Sequence, residues 1–201
     1  MINPINLFPT PIWKCKIKDY VKINKLLIDN ISLKMKKDNR DSKKKWNSER
    51  NLQSSLFMKD LNEVVLKVAG DVFDSIGISH FGYTITGAWA NVHPPSCIHH
   101  AHTHPNNYLA AVYYVKAPEG ANSISFIDPR SSISFIRAPI KKRTIYNAEK
   151  IDIIIEDGDL VFFPCWFKHS VNTNVGSEDR ISIAFNIMFK DYVNHMSKPM
   201  W

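Results

Sequence analysis

Residues 157–189 read DGDLVFFPCWFKHSVNTNVGSEDRISIAFNIMF, and the pattern within this stretch decides the class of fold. Asp157-Gly158-Asp159 is turn chemistry. The run from Leu160 to Phe163 is wholly apolar and halted by Pro164, the form of a strand buried on both faces. The next strand opens at His169. Eleven residues beyond that histidine, Arg180 begins Arg-Ile-Ser-Ile-Ala-Phe-Asn. Period-two alternation there puts Ile181, Ile183 and Phe185 on one face and Arg180, Ser182, Ala184 and Asn186 on the other.

An arginine turned into a β core is costly unless it meets an anion. Two readings of Arg180 stay open. In one, its guanidinium fork grips a carboxylate of a bound ligand, with the Ser182 hydroxyl beside it. In the other it pairs locally with Asp179 or ends its strand in water.

Outward from this stretch, β-rich runs at 83–92, 108–115, 123–127, 152–155, 160–163, 169–173 and 180–189 are separated by turn residues, the pattern of a sandwich or barrel. Two helices precede them. Ile23, Leu26, Leu27 and Ile31 recur at helical spacing over 21–36, and Leu61, Val64, Val65, Val68, Val72 and Phe73 form a stripe over 60–76 that Gly77 ends. The segment 2–17, interrupted by Pro4, Pro9 and Pro11, reads as extended chain or an edge strand. The expected class is therefore α+β, mainly β. A single unit covers 1–201: an extended segment and helices over 1–80, the β core over 81–190 and a tail over 191–201. The poorly patterned 128–150 is expected to border the mouth of the core.

A chain of 201 residues with 44% apolar residues can bury its own core. No leader and no membrane-length apolar run is visible, so a soluble protein is expected. Cys15, Cys97 and Cys165 are odd in number and widely spaced, which argues against disulfides and a zinc knuckle and suits a reducing cytoplasm. Cys97 and Cys165 are read as idle thiols. Much of the net charge of +7 sits in the basic run 34–50. It is read as a solvated connection, since its lone aromatic, Trp46, is too little for nucleic-acid stacking. A homodimer is the expected assembly.

Four of the eight histidines fall in Ile98-His99-His100-Ala101-His102-Thr103-His104-Pro105. In extended chain His102 and His104 point to one side and can share an ion, whereas His99 points elsewhere and His100 lies a step further off. His-x-His alone is a weak sign of metal; His169, delivered by the strand and turn before it, strengthens it.

The order His-x-His, Gly-Asp-Leu-Val-Phe-Phe-Pro, His, Arg-x-Ser resembles the 2-oxoglutarate and Fe(II)-dependent oxygenases. More narrowly, His102-Thr103-His104-Pro105, Val112-Tyr113-Tyr114-Val115, Phe126-Ile127-Asp128-Pro129-Arg130, Arg180 to Asn186 and the opening Leu7-Phe8-Pro9-Thr10-Pro11 are similar to an oxygenase family of marine bacteria and their phages. The resemblance implies a double-stranded β-helix (jelly roll, cupin-like) with N-terminal helices packed outside. It also implies Fe(II) on His102 and His169, 2-oxoglutarate chelating the metal with its far carboxylate on Arg180, and O2 as co-reactant. The superfamily's usual carboxylate ligand is His104 here, so that a three-histidine face is expected, or His104 stands off the metal. Imidazoles alone do not choose iron over zinc or copper.

Asn91, Asn186, Tyr114, Tyr108, Tyr113 and Trp89 are candidates to line the pocket, the amides because buried amides on strands need partners. Asp128-Pro129-Arg130 is read as a turn, with Arg130 pairing locally or closing over the substrate; Lys141-Lys142-Arg143 is assigned to solvent. Two rivals remain. A cupin-type enzyme with a three-histidine metal and no 2-oxoglutarate would not need Arg180, and a non-catalytic module binding a small anion or a partner would not need His102.

Overall fold

The computed structural model describes residues 2–130 and 138–195. The chain runs β1 (Trp13–Lys16), α1 (Tyr20–Lys37), β2 (Trp46–Asn47), two 3-10 turns and α2 (Lys59–Ser75). There follow β3 (Tyr83–His93), β4 (His99–His102), β5 (Leu109–Lys116), β6 (Ser123–Ile127), β7 (Lys150–Ile154), β8 (Asp159–Pro164), β9 (His169–Val171), β10 (Arg180–Phe189) and the short α3 (Lys190–His195). The strand expected at 152–155 lies at 150–154, and two unexpected strands appear, β2 inside the basic run and β4 on the histidine cluster. Residues 131–137 of the excursion, and the tail beyond 195, lie outside the described residues.

One sheet has the order β1-β8-β5-β10-β3-β2 and the other β4-β9-β6-β7. From β3 to β10 the chain crosses between sheets at every connection except β6 to β7. This winding is that of a double-stranded β-helix, closed on one side by helices.

Each face of the large sheet has its own core, as period two requires. Tyr113, Val115, Ile181, Ile183 and Phe185 face the helices and pack with Leu27 and Ile31 of α1 and Leu61, Val65 and Phe73 of α2. The alternate residues Ala110, Val112 and Tyr114 face the small sheet and meet Ile124, Phe126 and Phe163. The α1 stripe departs from expectation: Leu26 is exposed and Asn24 is buried. Asn24 earns its burial with two bonds, donating to Val115 O at 2.8 Å and accepting from the Tyr113 hydroxyl at 2.6 Å. Tyr113 is thereby a helix-facing core residue, not a pocket residue. Tyr108 likewise packs on Phe73 and Phe189, away from the small sheet.

The turn between β7 and β8 is tied to both ends of this layer. Gly158 has φ +82°, and a Cβ there would lie 2.3 Å from the Tyr20 side chain. Glycine adopts that backbone without strain, and no side chain fits that approach. Next to it, the buried Asp159 carboxylate meets Lys14 at 2.9 Å and Lys16 at 3.2 Å, pinning edge strand β1 to β8. Burial pushes the carboxyl upward, but the Lys14 and Lys16 ammoniums and the Glu156 N–H outweigh it, and the group sits below its ordinary value. A lowered folded value stabilises above the unfolded value, about pH 4, and that contribution is lost as pH falls through the folded one. Asp159→Asn should therefore cost about 1–3 kcal/mol at neutral pH in urea denaturation, discounted for the exposed lysines, and the deficit should shrink in acid.

Candidate metal centre and anion pocket

His102 and His169 are directly paired across β4 and β9, which sets their rings 4.3 Å apart between centroids. His104 follows as the chain leaves the small sheet, its N–H donating to Cys165 O at 2.8 Å. Its ring lies 5.3 Å from that of His102 and 5.1 Å from that of His169. Each imidazole can offer one nitrogen, and the three nitrogens lie within 4.8 Å of one another.

The tautomers follow from the partners. Nδ1 of His102 faces His100 O at 2.9 Å, Nδ1 of His169 faces Phe167 O at 3.0 Å, and Nδ1 of His104 faces Asn186 Oδ1 at 2.6 Å. A carbonyl oxygen can only accept, so each Nδ1 carries the proton and each Nε2 keeps its lone pair. Nε2 of His104 is buried without a partner. Burial, foremost, holds all three rings below the ordinary histidine range, His104 at about 4 and His169 at about 3. They are neutral near pH 7, the form that ligates metal.

His99 was expected to point elsewhere, and it does not. His99 pairs with Val171 and His102 with His169, so β4 carries one residue more than β9 between these pairs. This bulge returns His99 to the side of His102, on whose ring it stacks at 4.4 Å; His100 is exposed. A second unforeseen histidine, His93, is buried beside Arg180 with no partner for Nε2. Burial, then the Arg180 charge, lowers it to about 3. The bulge has no local sequence signal; His93 could have been found from the even spacing of Trp89, Asn91 and His93 on one strand face.

Arg180 is 2% exposed. Its Nη1 donates to Ser123 O at 3.0 Å, its guanidinium lies 5.1 Å from the Tyr114 ring centre, and its Nε has no partner. Burial pulls it below its ordinary value. The local alternative fails, because Asp179 pairs with Arg40 at 2.8 Å. Among the described residues no carboxylate pairs with Arg180. The Tyr114 hydroxyl is also buried, beside the Arg180 guanidinium but without a well-formed hydrogen bond, and burial pushes its phenol up to about 12 although the Arg180 charge opposes this. Ser182 stands between Asn91 and Tyr114 in register. A buried cation and a buried hydroxyl, both incompletely satisfied, fit a carboxylate between them.

Beside the triad opens a cavity of about 310 Å³ lined by Trp89, Asn91, Asn186, His99, His102 and His104 together with Lys45, Asn47 and Arg50. The basic run is thus not simply a solvated connection. Its first residues belong to α1, and Trp46 and Asn47 pair with Val92 and Asn91 of β3. Arg130 closes over nothing here: it folds back on Asp128 at 2.6 Å, as the turn reading expects. Lys141, Lys142 and Arg143 are exposed. Cys165 is buried and its thiol is raised by burial, which leaves it inert. Among the described residues no helix is long and apolar enough to cross a membrane.

Residues 87–186 match the model of a family described as "Putative 2OG-Fe(II) oxygenase". No curated protein sequence matches the chain. In fold it is similar to HygX from Streptomyces hygroscopicus, solved with nickel and 2-oxoglutarate (TM-score 0.65, 10% identity, 90% of this chain and 83% of that one). It is also similar to AviO1 from Streptomyces viridochromogenes Tue57 (TM-score 0.62, 12% identity, 90% of each chain). A prolyl-4-hydroxylase from Pseudomonas putida aligns with TM-score 0.61 and 8% identity, over 90% of this chain and 94% of that one. At such identities the likeness speaks for the fold, a double-stranded β-helix, and the family match for the kind of chemistry: the chain belongs to the 2-oxoglutarate/Fe(II) oxygenase family.

Proposed function

We propose that in this 2-oxoglutarate- and Fe(II)-dependent oxygenase His102, His104 and His169 hold the iron, Arg180 and Tyr114 take the far carboxylate of 2-oxoglutarate, and the reaction hydroxylates a small substrate. The observation that carries this reading is the common tautomer of a convergent triad: three Nδ1–H groups held by oxygen acceptors, on imidazoles that each offer a nitrogen within 4.8 Å of the others. Such outer contacts are what orient histidine ligands.

The oxidising power comes from bound Fe(II) with 2-oxoglutarate and O2, chemistry that no side chain supplies. In a balanced turnover one oxygen atom enters a substrate C–H bond as hydroxyl and the other enters succinate, with release of CO2. The chain's own part is positional and electrostatic. Neutral imidazoles add no charge, so a three-histidine centre is one unit more positive than one bearing a carboxylate, which favours an anionic cosubstrate. Phe163 and Phe126, packed against His169, keep that side dry. Ser182 and Asn91 offer polar contacts in the same interior, and Asn186 holds the His104 tautomer.

The three-histidine cupin alternative leaves a buried, unpaired Arg180 unexplained. The test is anaerobic titration of the Fe(II)-loaded protein with 2-oxoglutarate, watching for the weak visible charge-transfer band of chelation. A saturable band supports the reading; metal bound with no band would reject it. Asn186→Leu should weaken metal binding by about 10–100-fold, as lost supporting groups do, read by competition with a chelator.

A further inference from the structure

Of the basic residues clustered at 34–50, three already face carboxylates: Lys34 meets Glu49, Arg40 meets Asp179 at 2.8 Å and Lys44 meets Asp41 at 3.7 Å. Lys45 and Arg50 do not. Among the described residues neither has a carboxylate partner, and both line the cavity beside the triad. No aspartate or glutamate is among the residues lining it.

Both cations are exposed and line the same cavity as His99, His102 and His104. Their backbone is rigidly held. Ser48 N–H donates to Ala90 O and Ala88 N–H to Arg50 O, each at 3.0 Å, so this segment is fastened along β3. The Arg50 guanidinium lies 5.4 Å from the Trp89 ring centre, and Trp89 in turn stacks on His104. The side chain is exposed to solvent at the cavity rim and rests on the Trp89 face.

Charge accounting gives these residues a role. With neutral histidines, Fe(II) and Arg180 already outweigh the 2-oxoglutarate dianion by one positive unit, and Arg180 is not among the residues lining the cavity. Lys45 and Arg50 are left over, in a concave, carboxylate-free space of a size suited to a small molecule. Beside them Asn47 Nδ2 donates to Asn91 Oδ1, which leaves the Asn91 amide N–H free to meet an acceptor on the bound molecule.

We propose that Lys45 and Arg50 recognise an anionic group, carboxylate or phosphate, on the small primary substrate and hold that substrate against the His102, His104 and His169 face. This rests on the assignment of the triad as the metal centre. It does not need 2-oxoglutarate to be the cosubstrate.

The test uses the full chain loaded with Mn(II) as a paramagnetic stand-in, with phosphorus-31 relaxation of inorganic phosphate and carbon-13 relaxation of labelled acetate as probes. In the parent protein at least one probe should relax faster than with the His102→Ala protein, and the larger effect identifies the preferred headgroup. In the double variant Lys45→Met/Arg50→Met that enhancement should fall about tenfold, as loss of charge-assisted contacts implies. Mn(II) affinity and the 2-oxoglutarate band of the iron form, measured on the same variant, report separately on the centre beneath. No enhancement in the parent overturns the proposal. So does an enhancement unchanged in the double variant, or one that disappears only on Arg180→Met, which would place the anion in the cosubstrate site. Failure of Mn(II) to bind would overturn the triad assignment together with the proposal, whereas a missing 2-oxoglutarate band beside an intact anion effect would remove the cosubstrate assignment alone.

Discussion

Arg180→Met is expected to weaken 2-oxoglutarate binding by about a hundredfold or more, while leaving the ligand-free protein as stable as the parent or more so. The two signs share one cause. In the ligand-free fold the residue is 2% exposed, and among the described residues its guanidinium donates to Ser123 O and leaves Nε unpaired. A buried cation in that state costs stability, and a methionine of similar length removes the cost while keeping the packing against Tyr114. When a carboxylate arrives, the parent gains a charge-assisted bond in a dry site, which the variant lacks; truncating one partner of a buried charged pair costs about 2–5 kcal/mol of binding. Thermal unfolding without ligand and titration of the iron form with 2-oxoglutarate measure the two halves. A variant that loses stability and keeps its affinity would make Arg180 a structural residue.

His169→Ala should abolish tight metal binding, by more than the roughly 10–100-fold that an outer supporting group is worth. His169 is 3% exposed and, with His102 and His104, completes the group whose nitrogens lie within 4.8 Å. Two ligands remaining on a mobile ion cannot supply the entropy advantage of a third fixed one. His99→Ala provides the contrast. His99 stacks on His102 but is not part of that group, so its loss should change affinity only a few fold. Anaerobic equilibrium dialysis against Fe(II) measures both variants. Equal losses in the two would mean that the ion sits between His99 and His102.

The sequence alone determined what depends on short-range periodicity and residue chemistry. Strict alternation from Arg180 to Phe185 assigned the two faces of β10, and the structure finds Ile181, Ile183 and Phe185 against the helices while Arg180 points between the sheets. The turn at Gly158, the α2 stripe and the convergence of His102, His104 and His169 were legible for the same reason: successive residues along a strand or helix take directions set by the backbone repeat. Even the error over Tyr113 was legible in principle, since period two forbids Tyr113 and Tyr114 from facing the same pocket.

Tertiary structure decided the rest. One extra residue between two β4 to β9 pairs turned His99 toward the triad, and a bulge is set by how two distant strands meet. Lys45 and Arg50 became cavity walls because Trp46 and Asn47 found a free edge on β3, a pairing of residues more than forty positions apart that no local pattern announces. The proton on each histidine of the triad was fixed by oxygen partners, one of them Asn186, 82 residues from His104. Local repeats orient a side chain within its own element; which partner it meets, and hence its protonation and charge balance, is settled only when the elements pack.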